Sequence, residues 1–332
     1  MKEGRAWTEG GALVSGLLIL LAISGFFPSA VAKDTREVRW LIAHEPTDLF
    51  SRAADIFATE LAKESDGELT LRVVGLDAMG YSGNVPVADI FRFMEKGEIE
   101  LSSILAVGLE QQDSSFGIVN LPFLFKDYES AERILDGDSG KALLASVSEH
   151  TPIQALSFTF SGGFRILASE KKIGIKGQRV AINGGAVSKE IFRLLGATPI
   201  MAEEEYPADT VTVETVYTRI AALGDNTSIE EILETKHSLF LTAIVASDSF
   251  YESLTTKQRF ALEKAASAAA KAEREDSIAL AAKTREELLR RGVHIVTLSP
   301  AETETLKQRL QPVYGTFANR FDQSVVQAIL SH

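Results

Sequence analysis

The strongest constraint on this chain is a strand–helix alternation that runs once and then begins again. Residues 37–44, Glu-Val-Arg-Trp-Leu-Ile-Ala-His, are strand-like and end before Pro46. Across 48–64, Leu49, Ala53, Ile56, Phe57 and Leu61 recur at helical spacing. Asp66-Gly67 marks a turn, and 69–74 alternates as a strand. A helix is expected over 87–96, stopped by Gly97, then a strand over 99–104. This β-α-β-α-β order predicts an open parallel sheet wound with helices. The pattern resumes with strands at 165–169 and 178–182, a helix at 188–195 ended by Gly196, and a strand at 239–246. A second α/β unit therefore falls between Phe160 and Ala246.

The remainder is mostly helical. Residues 255–291 form one alanine-rich, charged stretch ending at Gly292. Alanine has the best helix propensity and permits close packing, so the stretch reads as a long strut. A coiled-coil partner helix is the rival reading, but no heptad of large apolar residues is sustained. A strand follows at 293–298, Ser299-Pro300-Ala301-Glu302 opens another helix, and the C-terminus is helical. Two α/β units predict a two-lobed clamp that binds a small molecule in its cleft and closes by hinge motion.

The N-terminus carries an address. Lys2 and Arg5 precede an apolar stretch over 12–27, Pro28 breaks it, and Ala30-Val31-Ala32 supplies a small-x-small cleavage site. Residues 1–32 are expected to be a signal peptide, cleaved after Ala32, with export to the periplasm. A membrane anchor is the alternative, but the stretch is short against the roughly 20 apolar residues of a span and is diluted by Ser15, Gly16, Ser24 and Gly25. The 332 residues include no cysteine, which excludes disulfides, thiolate nucleophiles, cysteine-ligated metals and lipidation of cysteine. With 34 Lys+Arg against 46 Asp+Glu, the net charge of −12 argues against a nucleic-acid partner. No His-x-x-x-His spacing points to a metal, and no Gly-x-Ser-x-Gly to a hydrolase. Paired carboxylates far apart in sequence escape that spacing test, so an exported hydrolase stays as a remote alternative.

A run of motifs in fixed order then carries a resemblance. They are Asn120-Leu121-Pro122-Phe123-Leu124-Phe125-Lys126-Asp127-Tyr128, Leu135-Asp136-Gly137, Gly163-Phe164-Arg165 and Lys176-Gly177-Gln178-Arg179-Val180. Glu190-Ile191-Phe192-Arg193-Leu194-Leu195-Gly196-Ala197-Thr198-Pro199, Ser253-Leu254-Thr255, Gly292-Val293 and Pro312-Val313-Tyr314 complete the set. The chain resembles the solute-binding proteins of TRAP (tripartite ATP-independent periplasmic) transporters, of the C4-dicarboxylate-binding type. The resemblance implies an α/β, two-lobed periplasmic-binding-protein-like clamp with a long helix spanning both lobes. Lobe I is expected over 33–158 plus about 247–285, and lobe II over 159–246 plus about 286–332. It also implies a monomeric receptor, not an enzyme, with no cofactor and no metal. Its partners would be a small organic acid and the TRAP membrane permease subunits; a sensor subunit that presents ligand to a membrane kinase is the alternative.

The same resemblance points to site residues. Arg179 matches an arginine that pairs with the ligand carboxylate, and Arg165 a second that faces the cleft; a planar guanidinium grips a carboxylate with two parallel hydrogen bonds. The bland reading of either is a surface ion pair. His44 ends the first strand, at the carboxyl edge where open α/β sheets present ligands, although a strand-end histidine is more often structural. Residues 183–188 read as a turn with Ser188 as a helix cap, rather than as an anion cradle. His237 reads as structural. The chain departs from the family pattern between Met201 and Arg219, where Glu214 matches a family glutamate, Thr215 stands in place of a ligand-binding asparagine, and a glutamate replaces an aromatic lid. Within Glu203-Glu204-Glu205, Glu203 is either a cleft residue selecting a cationic group or part of a solvated helix start.

Overall fold

The structure is a computed structural model that describes residues 35–112, 114–201, 212–224, 228–321 and 323–330. The expected signal peptide at 1–32, and Glu203 with its acidic run, lie outside the described residues.

Two sheets organise the fold. The first has the order β2-β1-β3-β10-β4, from β1 (Arg36–Ile42), β2 (Leu69–Val74), β3 (Leu101–Leu105), β4 (Ile153–Phe164) and β10 (Leu239–Ser247). The second has the order β11-β9-β5-β8-β6-β7, from β5 (Ile166–Ser169), β6 (Arg179–Ile182), β7 (Thr198–Met201), β8 (Thr212–Thr215), β9 (Glu231–Glu234) and β11 (His294–Thr297). In the first sheet β1 runs parallel to β2 and β3, as the β-α-β-α-β reading requires. Its crossovers are α1 (Ser51–Glu64), which buries Ala53, Phe57 and Leu61, and α2 (Val87–Glu95), which buries Ile90, Phe91, Phe93 and Met94. After β3 come α3 (Ala106–Gln112), α4 (Tyr128–Asp136) and α5 (Asp138–His150). In the second sheet α6 (Ala186–Leu194) joins the parallel strands β6 and β7, and α7 (Tyr217–Ala222) follows β8.

One expected boundary moves. The strand near 239–246 is expected in lobe II, yet β10 pairs antiparallel with both β3 and β4 in the first sheet. All nine of its residues are buried, as a strand covered on both faces requires. The strand β4 pairs antiparallel along β10, and then hands the chain to the second sheet through the single residue Arg165. Residues 235–238 bring it back from β9 to β10.

The long helix is α9 (Thr256–Arg290), which follows the short α8 (Asp248–Ser253). Thr255 and Gln258 close a reciprocal capping box at its start. Its buried face is largely alanine, from Ala261 to Ala281, which allows α9 to lie close on α1 and β4 of the first sheet and on α7 of the second. Arg52 on α1 chelates Asp276, and Arg285 pairs with Glu234 on β9, so the helix is tied to both halves. The chain closes with α10 (Pro300–Leu310), α11 (Pro312–Phe317) and α12 (Gln323–Leu330). No helix among the described residues is long and apolar enough to cross a membrane.

Candidate functional site

The site forms where the chain crosses between sheets. The Arg165 N–H donates to the Ser238 carbonyl at 2.9 Å, and Lys236 N–H donates to the Arg165 carbonyl at 3.1 Å, so the two crossing segments run side by side. Just before the crossing, Gly163 has φ +83°, and a Cβ there would stand 2.1 Å from the Tyr128 hydroxyl. Only glycine fits that turn.

The antiparallel register Ile166↔Thr215 sets the end of β8 beside Arg165. Glu214, wholly buried, accepts from Arg165 Nη1, Ser188 Oγ and His237 Nε2, each at 3.0 Å. His237 is held from its other side by the Thr235 hydroxyl at 2.8 Å. Burial alone would raise the Glu214 carboxyl, but the Arg165 charge and the His237 and Ser188 hydrogen bonds override it and hold the pKa at about 2. Glu214 is therefore an ionised anchor for Arg165.

Arg165 is only 2% exposed, and its guanidinium lies over the Phe240 ring of β10, 4.5 Å from the centroid. Arg219, on α7, lies 4.9 Å from the same ring. The strands β6 and β8 are parallel, with Ala181 beside Val213, so Asn183 emerges near Thr215 at their carboxyl ends. Arg165, Asn183, Glu214, Thr215, Arg219 and Phe240 line one narrow, closed-down cavity. Two buried donors there, Arg165 Nε and Asn183 Nδ2, have no hydrogen-bond partner among the described residues. His44 follows β1 at the carboxyl edge of the first sheet, 1% exposed, with its ring edge-on to Phe50. Burial, reinforced by the Arg219 charge, pushes its pKa down to about 3, so it is a neutral imidazole. A larger, open hollow at the ends of β1 and β2 is lined by Glu45, Asp48 and Asp77, charges that oppose an anion.

The structure thus brings together Arg165, Glu214 and Thr215 of the expected residues, with His44 within reach of the Arg219 charge. It does not bring Arg179. That residue is exposed and opens β6, whereas the site stands beyond the other end of the strand. Four steps along the strand separate Arg179 from Asn183, roughly 13 Å at about 3.3 Å per residue. The expected carboxylate partner Arg179 therefore shares a strand with the site but stands at its opposite end. Ser188 also departs from expectation. Gly185 is the N-cap of α6, and Ser188 donates to Glu214 instead of capping. Sequence reasoning missed Asn183 as a donor, Arg219 and Phe240. Asn183 carried one usable signal, its position directly after the carboxyl end of a strand. Arg219 and Phe240 carried none, because their meeting depends on β10 lying in the first sheet.

The family model described as bacterial extracellular solute-binding protein, family 7, matches residues 42–320. The C4-dicarboxylate-binding protein DctB of Bacillus subtilis is 21% identical over 294 residues, covering 84% of this chain and 81% of its own length. A TRAP periplasmic solute binding protein from Pseudomonas putida F1, with bound D-glucuronate, superposes with a TM-score of 0.78 at 17% identity, covering 90% of this chain and 97% of that one. One from Shewanella oneidensis, with bound succinate, gives 0.75 at 18% identity, covering 90% and 99%. The fold is that two-lobed clamp, and with a family model spanning most of its length the chain belongs to family 7 of the bacterial extracellular solute-binding proteins, the receptors of TRAP transporters.

Proposed function

We propose that this chain is an extracytoplasmic receptor that binds a small organic acid by its carboxylate between the two sheets and delivers it to TRAP permease subunits. The observation that carries the reading is the pair of buried, unpartnered donors, Arg165 Nε and Asn183 Nδ2, on one cavity. A buried donor left unsatisfied costs about 1–3 kcal/mol. An ionised carboxylate offers acceptors only, on two oxygens, and suits a guanidinium N–H beside an amide N–H. The acids bound by the Pseudomonas putida and Shewanella oneidensis relatives support the same class. In this reading Glu214 and His237 hold Arg165 in place, Thr215 offers a hydroxyl, and His44 closes the far side as a neutral group. Lobe I gains β10 and lobe II keeps β5 to β9. The protein works as a monomer in the periplasm, and no bond is broken.

Native mass spectrometry of the exported protein identifies a retained solute, and a thermal-shift comparison tests the chemistry. At about 100 times its dissociation constant a ligand adds ~2.7 kcal/mol, or roughly 4 °C of melting temperature in a chain this long. The acid is expected to give that shift, its neutral amide to give none, and Asn183→Ala to weaken the response to the acid. An amide that binds as tightly as its acid overturns the carboxylate reading.

A further inference from the structure

A second buried carboxylate stands next to this site, and it comes from the other sheet's side of the molecule. Glu110 lies on α3, which follows β3, and is 8% exposed. Its Oε1 accepts the Ala186 N–H at 2.8 Å, at the first residue of α6, and its Oε2 accepts Asn120 Nδ2 at 3.0 Å. The helix α6 is nine residues long, and its opening N–H groups have no intrahelical acceptor, so a carboxylate there is favoured by both hydrogen bonds and the helix dipole. The fit is tight. A Cβ on Gly185 would stand 2.3 Å from the Glu110 carboxylate, and one on Gly117 would stand 3.0 Å from it. Two glycines thus clear the space that this side chain fills.

Glu110 and the cavity belong to one neighbourhood. Asn183, a cavity donor, precedes Gly185 by two residues, and the Arg165 charge is felt at Glu110. Around the first turn of α6 the anions already have partners. Glu214 takes Arg165, His237 and Ser188, while Glu110 takes Ala186 and Asn120. Among the described residues, Arg165 Nε and Asn183 Nδ2 on the cavity are without hydrogen-bond partners, and the two match the two oxygens of one carboxylate. A ligand carboxylate brought beside Glu110 has to compete with it for the Ala186 N–H and for Asn120 Nδ2, both of which Glu110 already holds.

We propose that Glu110 is a resident carboxylate occupying the second anion position of the site, so that the receptor takes acids bearing a single carboxylate and rejects dicarboxylates. The inference rests on the carboxylate-receptor reading above and goes beyond it by naming a specificity-determining residue. Selection of this kind works by placing an unfavourable charge against the wrong ligand.

The test uses matched probes that differ only in a second carboxylate: the C3–C6 dicarboxylates against their half-amides, and glucarate against gluconate. Affinities are measured by calorimetry on the whole exported protein. In the wild type the singly charged member of a bound pair is expected to bind at least tenfold tighter. Glu110→Ala is expected to cut that preference at least tenfold by freeing the Ala186 N–H for the second carboxylate. Glu110→Gln keeps an acceptor for Ala186 without the charge, and moves the ratio the same way if the alanine variant fails to fold. A wild type that binds dicarboxylates as tightly as their partners overturns the proposal, as does a folded Glu110→Gln with the wild-type ratio. If no probe of either kind binds wild type or variants, the carboxylate reading itself fails, a distinguishable result.

Discussion

Two glutamates are equally buried in this molecule, and their chemistry is opposite. Glu214, at the crossing strands, is held ionised with a pKa of about 2; Glu273, on α9, is pushed up to about 8. Burial raises both, so burial does not separate them. Their partners do. Glu214 receives Arg165, His237 and Ser188. Glu273 accepts from neutral donors, the Phe160 N–H at 2.8 Å on Oε2 and the Thr159 hydroxyl, and its Oε1 has no close partner among the described residues. A guanidinium is adjacent in sequence, but Arg274 turns both of its terminal nitrogens to Asp136, at 2.8 Å each. A buried carboxyl therefore keeps its charge only where the fold aims a cation at it. Glu214 is placed that way at the site, whereas Glu273 acts as a neutral acceptor that satisfies a backbone N–H of β4.

The largest effect that tests this contrast is Glu214→Ala. It leaves the Arg165 charge buried without its counter-ion, which costs about 3–5 kcal/mol, or roughly 4–8 °C of melting temperature. The sign with pH follows from the depressed pKa. The contribution of Glu214 is present above about pH 4.5 and is lost as pH falls through about 2, so the acid limb of the wild-type stability curve should be shallower in the variant. Denaturant unfolding from pH 2 to 7 measures both. A loss below 1 kcal/mol breaks the contrast.

Glu273→Gln should be far milder and of opposite pH sense. A raised pKa means that the protonated form is the one stabilised; its contribution is full below about pH 4.5 and is lost as pH rises through about 8. Glutamine mimics the protonated acid and still accepts from Phe160. At pH 5 the variant should lie within about 1 kcal/mol of wild type, and at pH 9 it should be the more stable by a few kcal/mol. Unfolding at the two values decides it; a variant less stable than wild type at pH 9 means that Glu273 is ionised after all.

The period of the sequence revealed the first three strands, their parallel order and the long helix, because these segments follow simple rules. Leu61 recurs four after Phe57, and Gly97 and Gly292 stop their helices with φ of +64° and +85°. It did not reveal β4 or the sheet to which β10 belongs, since strand partners far apart in sequence leave no local trace. Phe240 reaches its place through pairing with Gly163, 77 residues away. That pairing is what gathers Arg165, Arg219 and Phe240, so half the cavity was hidden while Glu214 and Arg165 stood out.

The smallest expected effect is the most instructive control. Arg179 and Arg165 are both arginines beside short strands of one sheet, and family motifs singled out both. Arg165 is 2% exposed, stacked on Phe240 and paired with a wholly buried carboxylate, whereas Arg179 is exposed at the amino end of β6. In high dielectric a surface ion pair contributes about 0–1 kcal/mol, and salt screens it further. Arg179→Ala should therefore change stability by less than about 1 kcal/mol and leave the affinity for the bound acid within twofold. Arg165→Lys should abolish binding, because a single ammonium cannot both keep the bond to Glu214 and supply the separate Nε donor. Calorimetry on the two variants side by side settles which arginine the ligand meets. A tenfold loss in Arg179→Ala would move the site to the far end of β6, and with it the claim that a buried counter-ion pair marks the place where this receptor holds its solute.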